Sequence, residues 1–124
     1  MTKRTVVTLG HRGEALAAEY LKKAGYRILS CNVRSVLGEI DIVARDGATI
    51  CFIEVKTRTS DAFGCPGEAV SISKQRKLVR LARVFLQDHN LYGLPSRFDV
   101  VSVLIPPGGP VLIELIPNAF EAEE

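Results

Sequence analysis

The sequence predicts a single α/β domain of 124 residues, in which a helix, three strands, a second helix and two further strands follow one another. Apolar residues recur at spacings of three and four in residues 10–24 and 71–88, as on one side of a helix. Short apolar runs separated by turn residues fill most of the rest. Asp46-Gly47 joins two of these runs and is a strong signal for a β-hairpin.

The elements follow from these patterns in order. The first helix is expected at 10–24, with Gly25 as its stop. Strands are expected at 26–34, 38–45 and 49–58, and a loop at 61–67. The second helix should begin near 71–73 and run to 88, with an apolar stripe on one side and Lys and Arg on the other. Two more strands are expected at 98–105 and 111–116, and residues 118–124 as an acidic tail of the single domain 1–124.

Composition excludes several classes of protein. No apolar run is long enough to span a bilayer, and residues 1–14 lack the apolar core of a secretory signal, so a cytoplasmic protein is expected. Cys31, Cys51 and Cys65 are an odd number without a close pair, which disfavours disulfides, and the first two are expected to act as small hydrophobic residues in strands. Two histidines make a zinc site a poor hypothesis.

Charge is distributed unevenly along the chain. All 16 Lys and Arg lie at or before Arg97, while four of the 14 acidic residues lie in the last eleven positions. Residues 1–113 therefore carry a net charge of +6. Such a basic body favours a polyanionic partner, nucleic acid above all, although many basic proteins bind none.

Acidic side chains are concentrated around the predicted hairpin. Strand alternation puts Glu39 and Asp41 of "GEIDIV" on one face, and Glu54 and Lys56 of "ICFIEVK" on one face. A two-residue turn at 46–47 pairs position 45 with 48, and all four side chains then project to the same side. A four-residue loop keeps that common side and puts Asp41 directly opposite Glu54, whereas a loop of odd length would reverse it.

The first helix adds another acid. Glu14 precedes Ala17, Ala18 and Leu21 by three, four and seven residues, so it belongs to the stripe that should pack inward. An acid in that position is costly unless it has a partner or a cation.

Two or three carboxylates and an amine on a central sheet suit metal-assisted phosphodiester hydrolysis. Hard cations such as Mg²⁺ take oxygen ligands, usually one or two carboxylates with waters and a substrate phosphate. Asp41, Glu54 and Lys56, with Glu14 in support, are therefore the candidate site. Glu39 is left out of the metal set because it could also cap the strand, pair with Arg34 or stand behind the ligands.

Asp41 followed across a hairpin by Glu54-Val55-Lys56 resembles the PD-(D/E)XK nuclease superfamily, with Ile40 in place of its proline. "GHRGEALAAEYLKKAGYRIL", "NVRSVLGEIDIVARDG", "FIEVKTR", "EAVSISKQRKL", "RFDVV" and "PNAF" more closely resemble the small bacterial YraN family, which is similar to archaeal Holliday junction resolvases.

The resemblance implies a restriction-endonuclease-like core, with a mixed sheet flanked by helices in the order α-β-β-β-α-β-β. It also implies Mg²⁺ or Mn²⁺ held by Asp41, Glu54 and the Val55 carbonyl, with Lys56 as the catalytic amine and Glu14 as the supporting acid. A homodimer is expected from this resemblance alone.

Other residues have structural interpretations beside functional ones. Arg34, Arg58 and Lys74 are candidate phosphate contacts, but the basic side of the second helix can equally be its solvated face. Ser71 and Ser73 are expected to cap that helix. Asp99 is either an acid at the end of a strand or a partner for Arg97, and a structural role is favoured.

The first functional hypothesis is a metal-dependent endonuclease that acts on DNA, with branched or structured DNA as a candidate substrate. A non-catalytic nucleic-acid-binding module on a nuclease fold and a protein-interaction subunit are the alternatives. Cleavage that depends on Mg²⁺ or Mn²⁺ would favour the first, and salt-dependent DNA binding without cleavage the second. Recovery of a partner enzyme, without activity in isolation, would favour the third.

Overall fold

The computed structural model describes residues 8–60 and 70–120. These residues form helix α1 (Leu9–Lys23), strands β1 (Arg27–Ser35), β2 (Gly38–Asp46) and β3 (Thr49–Arg58), helix α2 (Ile72–Asp88), and strands β4 (Ser96–Leu104) and β5 (Leu112–Phe120). The predicted order of elements is confirmed. The predicted loop at 61–67, and Cys65 within it, lie outside the described residues.

The strands form one mixed sheet in the order β1-β2-β3-β4-β5. β3 and β4 run parallel, and the other neighbouring pairs are antiparallel. A parallel pair needs a long crossover connection, and α2 lies in the segment that joins β3 to β4. The mixed sheet flanked by helices that the family resemblance implies is therefore confirmed.

The continuous apolar run of β3 places it inside the fold. Cys51 and Ile53 pack with α1 on one face of the sheet, while Ile50 and Phe52 pack with α2 on the other. A strand covered on both faces needs apolar residues at every position rather than at alternate ones. The two helices thus enclose the sheet, and β3 brings its last residues to the candidate site from the middle of the fold.

Polar caps begin both helices. Ser71 Oγ accepts a hydrogen bond from the Lys74 N–H at 3.2 Å, which confirms Ser71 as the cap of α2, whereas Ser73 lies inside the helix. Thr8 plays the same part in α1, where its hydroxyl accepts the His11 N–H at 3.2 Å. Neither described helix meets the length and hydropathy required of a membrane-crossing segment.

The last strand is longer than predicted. β5 continues to Phe120, so the expected tail cannot begin at residue 118; residues 121–124 lie outside the described part of the chain. The Phe120 ring stacks on Phe98 with centroids 4.7 Å apart, and the Asn118 N–H donates to Asp99 Oδ1 at 2.8 Å. Pro117 is tolerated because β5 is an edge strand in which a missing N–H can go unpaired.

Arg97 has the structural role expected of it. Its Nε donates to both carboxylate oxygens of buried Asp99 at 3.1 Å. Its Nη2 reaches Tyr26 at 2.6 Å and Asp46 at 3.1 Å, so one guanidinium links β4 to the β2–β3 hairpin and to the start of β1.

One cysteine prediction is confirmed and another is wrong. Cys51 is buried in the core beside α1, whereas Cys31 is exposed. Cys31 lies on β1, the first strand in the order of the described sheet.

Candidate metal centre

The β2–β3 hairpin turns one residue later than predicted. Asp46 pairs with Thr49, so the turn consists of residues 47 and 48 rather than 46 and 47. Gly47 has a φ of +59°, and glycine at the first central position is the hallmark of a type II′ turn. Counted back along the strands, this register brings Asp41 level with Glu54, as in the alternative with a four-residue loop. The paired ladder, however, ends at Ile42 and Ile53.

Side-chain alternation fails where the two strands separate. Ile40 and Ile42 are two residues apart, yet Ile40 packs in the core against α2 and Ile42 in the core against α1. A regular strand would put both on the same face. The strict alternation from which Glu39, Asp41, Glu54 and Lys56 were assigned to one side is therefore broken between Ile40 and Ile42.

Asp41 occupies the gap between the separating strands. Its Oδ2 accepts a hydrogen bond from the Val55 N–H at 2.8 Å. This side-chain contact ties β2 to β3 just beyond the last paired residues. Asp41 therefore lies at the split in the sheet, within reach of side chains from both faces.

Three carboxylates converge at this split. Glu14, Glu39 and Asp41 each offer an oxygen, and these oxygens lie within 4.8 Å of one another. Glu14 reaches the group from the second turn of α1, as its place on the inward stripe predicts. Glu39 pairs with Arg34 at 3.7 Å, which is one of the three alternatives that its sequence position left open, and it joins the acidic group as well.

Glu54 lies next to this group but outside it. By alternation it follows Phe52 on the α2 side of β3, and it is only 7% exposed. Its Oε1 forms an ion pair with Lys74 of α2. Its buried Oε2 has no hydrogen-bond partner within residues 8–60 and 70–120.

The pKa of Asp41 reflects this crowding of negative charge. It rises from 3.8 to about 6, mainly because burial penalises the charged form. The hydrogen bond from the Val55 N–H opposes the rise, and the charges of Glu14, Glu54 and Glu39 add to it. Glu54 thus acts on Asp41 electrostatically, although Lys74 holds it on the other side of the split.

The donor set fits a hard divalent cation. The group offers three carboxylate oxygens and no sulfur or nitrogen, which suits Mg²⁺ or Mn²⁺. A positive ion would offset the mutual repulsion that raises the pKa of Asp41. The unpartnered Oε2 of buried Glu54 is a further oxygen that still needs a hydrogen-bond donor or a cation.

The other predicted residues of β3 follow Glu54 along the strand. Lys56 is half-buried and lies on the face of Glu54 by alternation, and Arg58 is half-buried two residues further along β3. Both take part in further interactions. At Val55, the N–H donates to Asp41; a role for the Val55 carbonyl stays a prediction.

The candidate phosphate contacts differ in their surroundings. The Arg34 side chain is 68% exposed and next to Glu39, while Lys74 is 51% exposed and engaged with Glu54. Lys74 and Lys77 also line a cavity of about 320 Å³ between α2 and the β1–β2 hairpin, and Glu39 lines the same cavity. Lys77 was not singled out from the sequence, because it is one of several basic residues on an amphipathic helix.

Sequence reasoning also missed Asn32. Its side-chain amide, oriented so that the nitrogen faces the acids, donates to Glu14 Oε2 at 3.1 Å and to Glu39 Oε1 at 2.8 Å. A signal was available, because asparagine is unfavourable within a strand and this one lies in an otherwise extended segment.

The fold and site define a class of α/β protein that carries a carboxylate centre where two strands of a mixed sheet separate. The chain belongs to the family described as "Uncharacterised protein family UPF0102", which matches residues 13–103, and this confirms the predicted membership of the YraN group. It is 49% identical over 114 residues to the UPF0102 protein STH1475 of Symbiobacterium thermophilum, covering 92% of this chain and 97% of that one. It is 51% identical over 112 residues to a UPF0102 protein of Syntrophus aciditrophicus, covering 90% and 87% of the two chains.

Two solved structures are similar in part. One is Hjc of Archaeoglobus fulgidus, described as a Holliday junction resolvase, which is 26% identical with a TM-score of 0.45 and covers 85% of this chain and 75% of that one. The other is EndoMS in complex with double-stranded DNA, 17% identical with a TM-score of 0.46, covering 88% of this chain and 42% of that one.

Proposed function

We propose that the protein is a metal-dependent endonuclease that hydrolyses phosphodiester bonds in DNA, with branched or structured DNA as the first substrate to examine. The observation that carries the proposal is the convergence of Glu14, Glu39 and Asp41, with oxygens within 4.8 Å of one another, at the split beside Glu54. Mutually repelling acids in a half-buried position are costly, and a cation-dependent activity gives a reason to retain them.

Asp41 is the central ligand in this proposal. Glu14 and Glu39 approach it from α1 and β2, and Glu54 approaches from β3. The hydrogen bond from the Val55 N–H fixes one oxygen of Asp41 and leaves the other for a ligand. Mg²⁺ or Mn²⁺, when bound there, would polarise a phosphoryl oxygen and lower the pKa of a bound water.

Lysines supply the positive charge. Lys56 shares the face of Glu54 and is the candidate to orient the attacking water or to stabilise charge that develops on the phosphate. Lys74 neutralises Glu54 through their ion pair, so Glu54 could act as a ligand only by exchanging this ion pair for the cation. Lys74 would then be available to the substrate phosphate.

The cavity beside α2 provides a place for the nucleic-acid backbone. It combines Lys74 and Lys77 with Ser71 and Ser73 at the start of α2, where free N–H groups favour anions. It adjoins the acidic group through Glu39, which lines the cavity and belongs to the group. A phosphate seated there would lie next to the proposed metal.

The test is a cleavage panel of linear, flapped and four-way-junction DNA, with Mg²⁺ and with Mn²⁺. We expect the wild type to cleave at least one substrate, and Asp41→Ala or Glu54→Ala to lower the rate by at least about a hundredfold, because each change removes a proposed ligand. Circular dichroism and thermal unfolding check that each variant is folded.

Glu19→Ala is the matched control. Glu19 is also an acid on α1, but its side chain is 65% exposed and pairs with Lys22, so its loss should leave cleavage unchanged. Wild-type protein that binds the panel in a salt-dependent way and cuts none of it would overturn the endonuclease and favour the non-catalytic binding module.

A further inference from the structure

Asn32 and Asp41 lie at matching positions on neighbouring strands. Cys31 pairs with Ile42 and Val33 with Ile40, so the register brings Asn32 level with Asp41. Both strands lose their alternation at this point. Val33 packs toward the α2 core while Cys31 lines a cavity with residues of α1, just as Ile40 and Ile42 diverge on β2.

The backbone of Asn32 explains this change on β1. Its φ is +54°, a left-handed conformation that breaks the pleat of an extended strand. Asparagine tolerates this conformation better than most residues with a side chain. This conformation lies at the same register as the irregularity on β2, where Ile40 enters the α2 core and Glu39 joins Glu14 and Asp41.

The side chain of Asn32 acts on the same group. A primary amide carries two N–H donors, and here one is given to Glu14 and the other to Glu39. These acids come from different elements, α1 and β2, so the amide bridges the two sources of carboxylate. It does so without a positive charge that would compete with a cation for the same oxygens.

We propose that Asn32 is a positioning residue of the carboxylate centre, which turns the β1–β2 ribbon through its left-handed backbone and holds Glu14 and Glu39 together through its amide. The proposal deepens the function proposed above and rests on it for the identity of the ligand. Its geometric part, the coupling of Asn32 to Glu14, holds in the metal-free protein as well.

Asn32→Gly separates the two contributions. Glycine adopts the same left-handed backbone without strain but has no amide, so the ribbon is kept and the bridge is lost. Asn90→Gly is the matched control, because Asn90 has a φ of +55° at the end of α2, far along the chain from the acids. Titration calorimetry of the full chain with Mn²⁺ should show about 10- to 100-fold weaker binding for Asn32→Gly. Asn90→Gly should bind Mn²⁺ as the wild type does.

A metal-free measurement makes the outcome independent of the nuclease proposal. In urea unfolding with a chelator present, Asn32→Gly and Glu14→Ala should be non-additive, since both remove the same hydrogen bond. Asn90→Gly and Glu14→Ala should be additive. Additive effects for Asn32→Gly, or Mn²⁺ affinity equal to that of the wild type, would overturn the positioning role. If the wild type binds no Mn²⁺ and cuts no DNA, the proposed function fails, and the urea cycle alone decides the role of Asn32.

Discussion

Asp41 combines opposing influences in one side chain. Burial and three neighbouring carboxylates disfavour its charge, while the Val55 N–H favours it. The first set outweighs the second, and the pKa rises to about 6. Near neutral pH, Asp41 of the metal-free protein is charged, although its ionisation costs more free energy in the folded protein than in the unfolded chain. This difference lowers the stability of the fold.

The sign of this effect gives a pH prediction. Because the folded-state pKa lies above the usual 3.8, stability contributed by protonated Asp41 is present at low pH and is lost as pH rises through about 6. We expect Asp41→Asn, whose amide oxygen can still accept the Val55 N–H, to remove this loss. In urea unfolding with chelator, the free energy of unfolding of the variant relative to that of the wild type should increase by about 1–2 kcal/mol from pH 4.5 to pH 7.5. This figure is reduced for solvent screening.

Glu19→Gln serves as the control for this measurement, since Glu19 is an exposed acid of α1. It should follow the wild-type profile. If the difference in free energy of unfolding between wild type and Asp41→Asn stayed constant over this pH range, Asp41 would not titrate as inferred.

The placement of Glu14 depends on how closely α1 packs on β3. A Cβ added to Gly13 would lie 1.8 Å from Thr57 Oγ1 and under 3.0 Å from two carbons of the same side chain. Gly13 is buried at this contact, and Glu14 follows it directly in the helix. Close approach of α1 to β3 is therefore what carries Glu14 to the split in the sheet.

Gly13→Ala should separate these two elements. Threonine is branched and stiff, so the helix must shift, and we expect a loss of about 1–3 kcal/mol in the free energy of unfolding together with weaker Mn²⁺ binding. Adding Thr57→Ala removes two of the three clashing atoms and should restore part of the stability.

Gly10→Ala is the control for the packing prediction. Gly10 lies in the same helix, and a Cβ there would meet no atom within 4 Å among the described residues that lie beyond its own stretch of helix. The higher helix propensity of alanine should then leave stability equal or raise it by about 0.5–1 kcal/mol. If Gly13→Ala behaved like Gly10→Ala, close packing would not be what positions the helix.

For the molecule as a whole, the sheet separates two hydrophobic cores. The strands at its edges need side-chain contacts that hold them against the rest of the fold. Two contacts hold β5 against β4: the Asn118 N–H donates to buried Asp99, and the Phe120 ring stacks on Phe98. The α2-side core continues through Phe98 and Phe120 to Phe52 and Phe85. The end of β5 therefore belongs to the folded domain rather than to a tail.

Two truncations test this assignment. Removing residues 118–124 deletes the ring stack and one hydrogen bond to a buried carboxylate, so we expect a loss of about 2–4 kcal/mol by urea unfolding. Removing residues 121–124 alone keeps the ring stack and this hydrogen bond, so the loss should be smaller. If the two shortened chains were equally stable, the tail would begin at residue 118, as the sequence predicts.

Local sequence patterns determined the order of the elements, most of their bounds and the central place of β3. Apolar spacing, caps and turn residues act over a few neighbours, so the chain carries that information directly. The resemblance in "GEIDIV" and "FIEVK" also pointed to Asp41, Glu54 and Lys56 as candidates, and their roles remain predictions.

Tertiary structure alone decided how the acids meet. The alternation rule holds only while a ladder is regular. The β2–β3 ladder stops at Ile42, the residue after Asp41, because β2 leaves β3 there. Glu39 entered the acidic group, and Glu54 was drawn toward Lys74, through contacts between elements far apart in the chain. Side-chain direction at an irregular strand depends on the left-handed turn at Asn32 and on both helices at once, and no count along one strand contains those contacts.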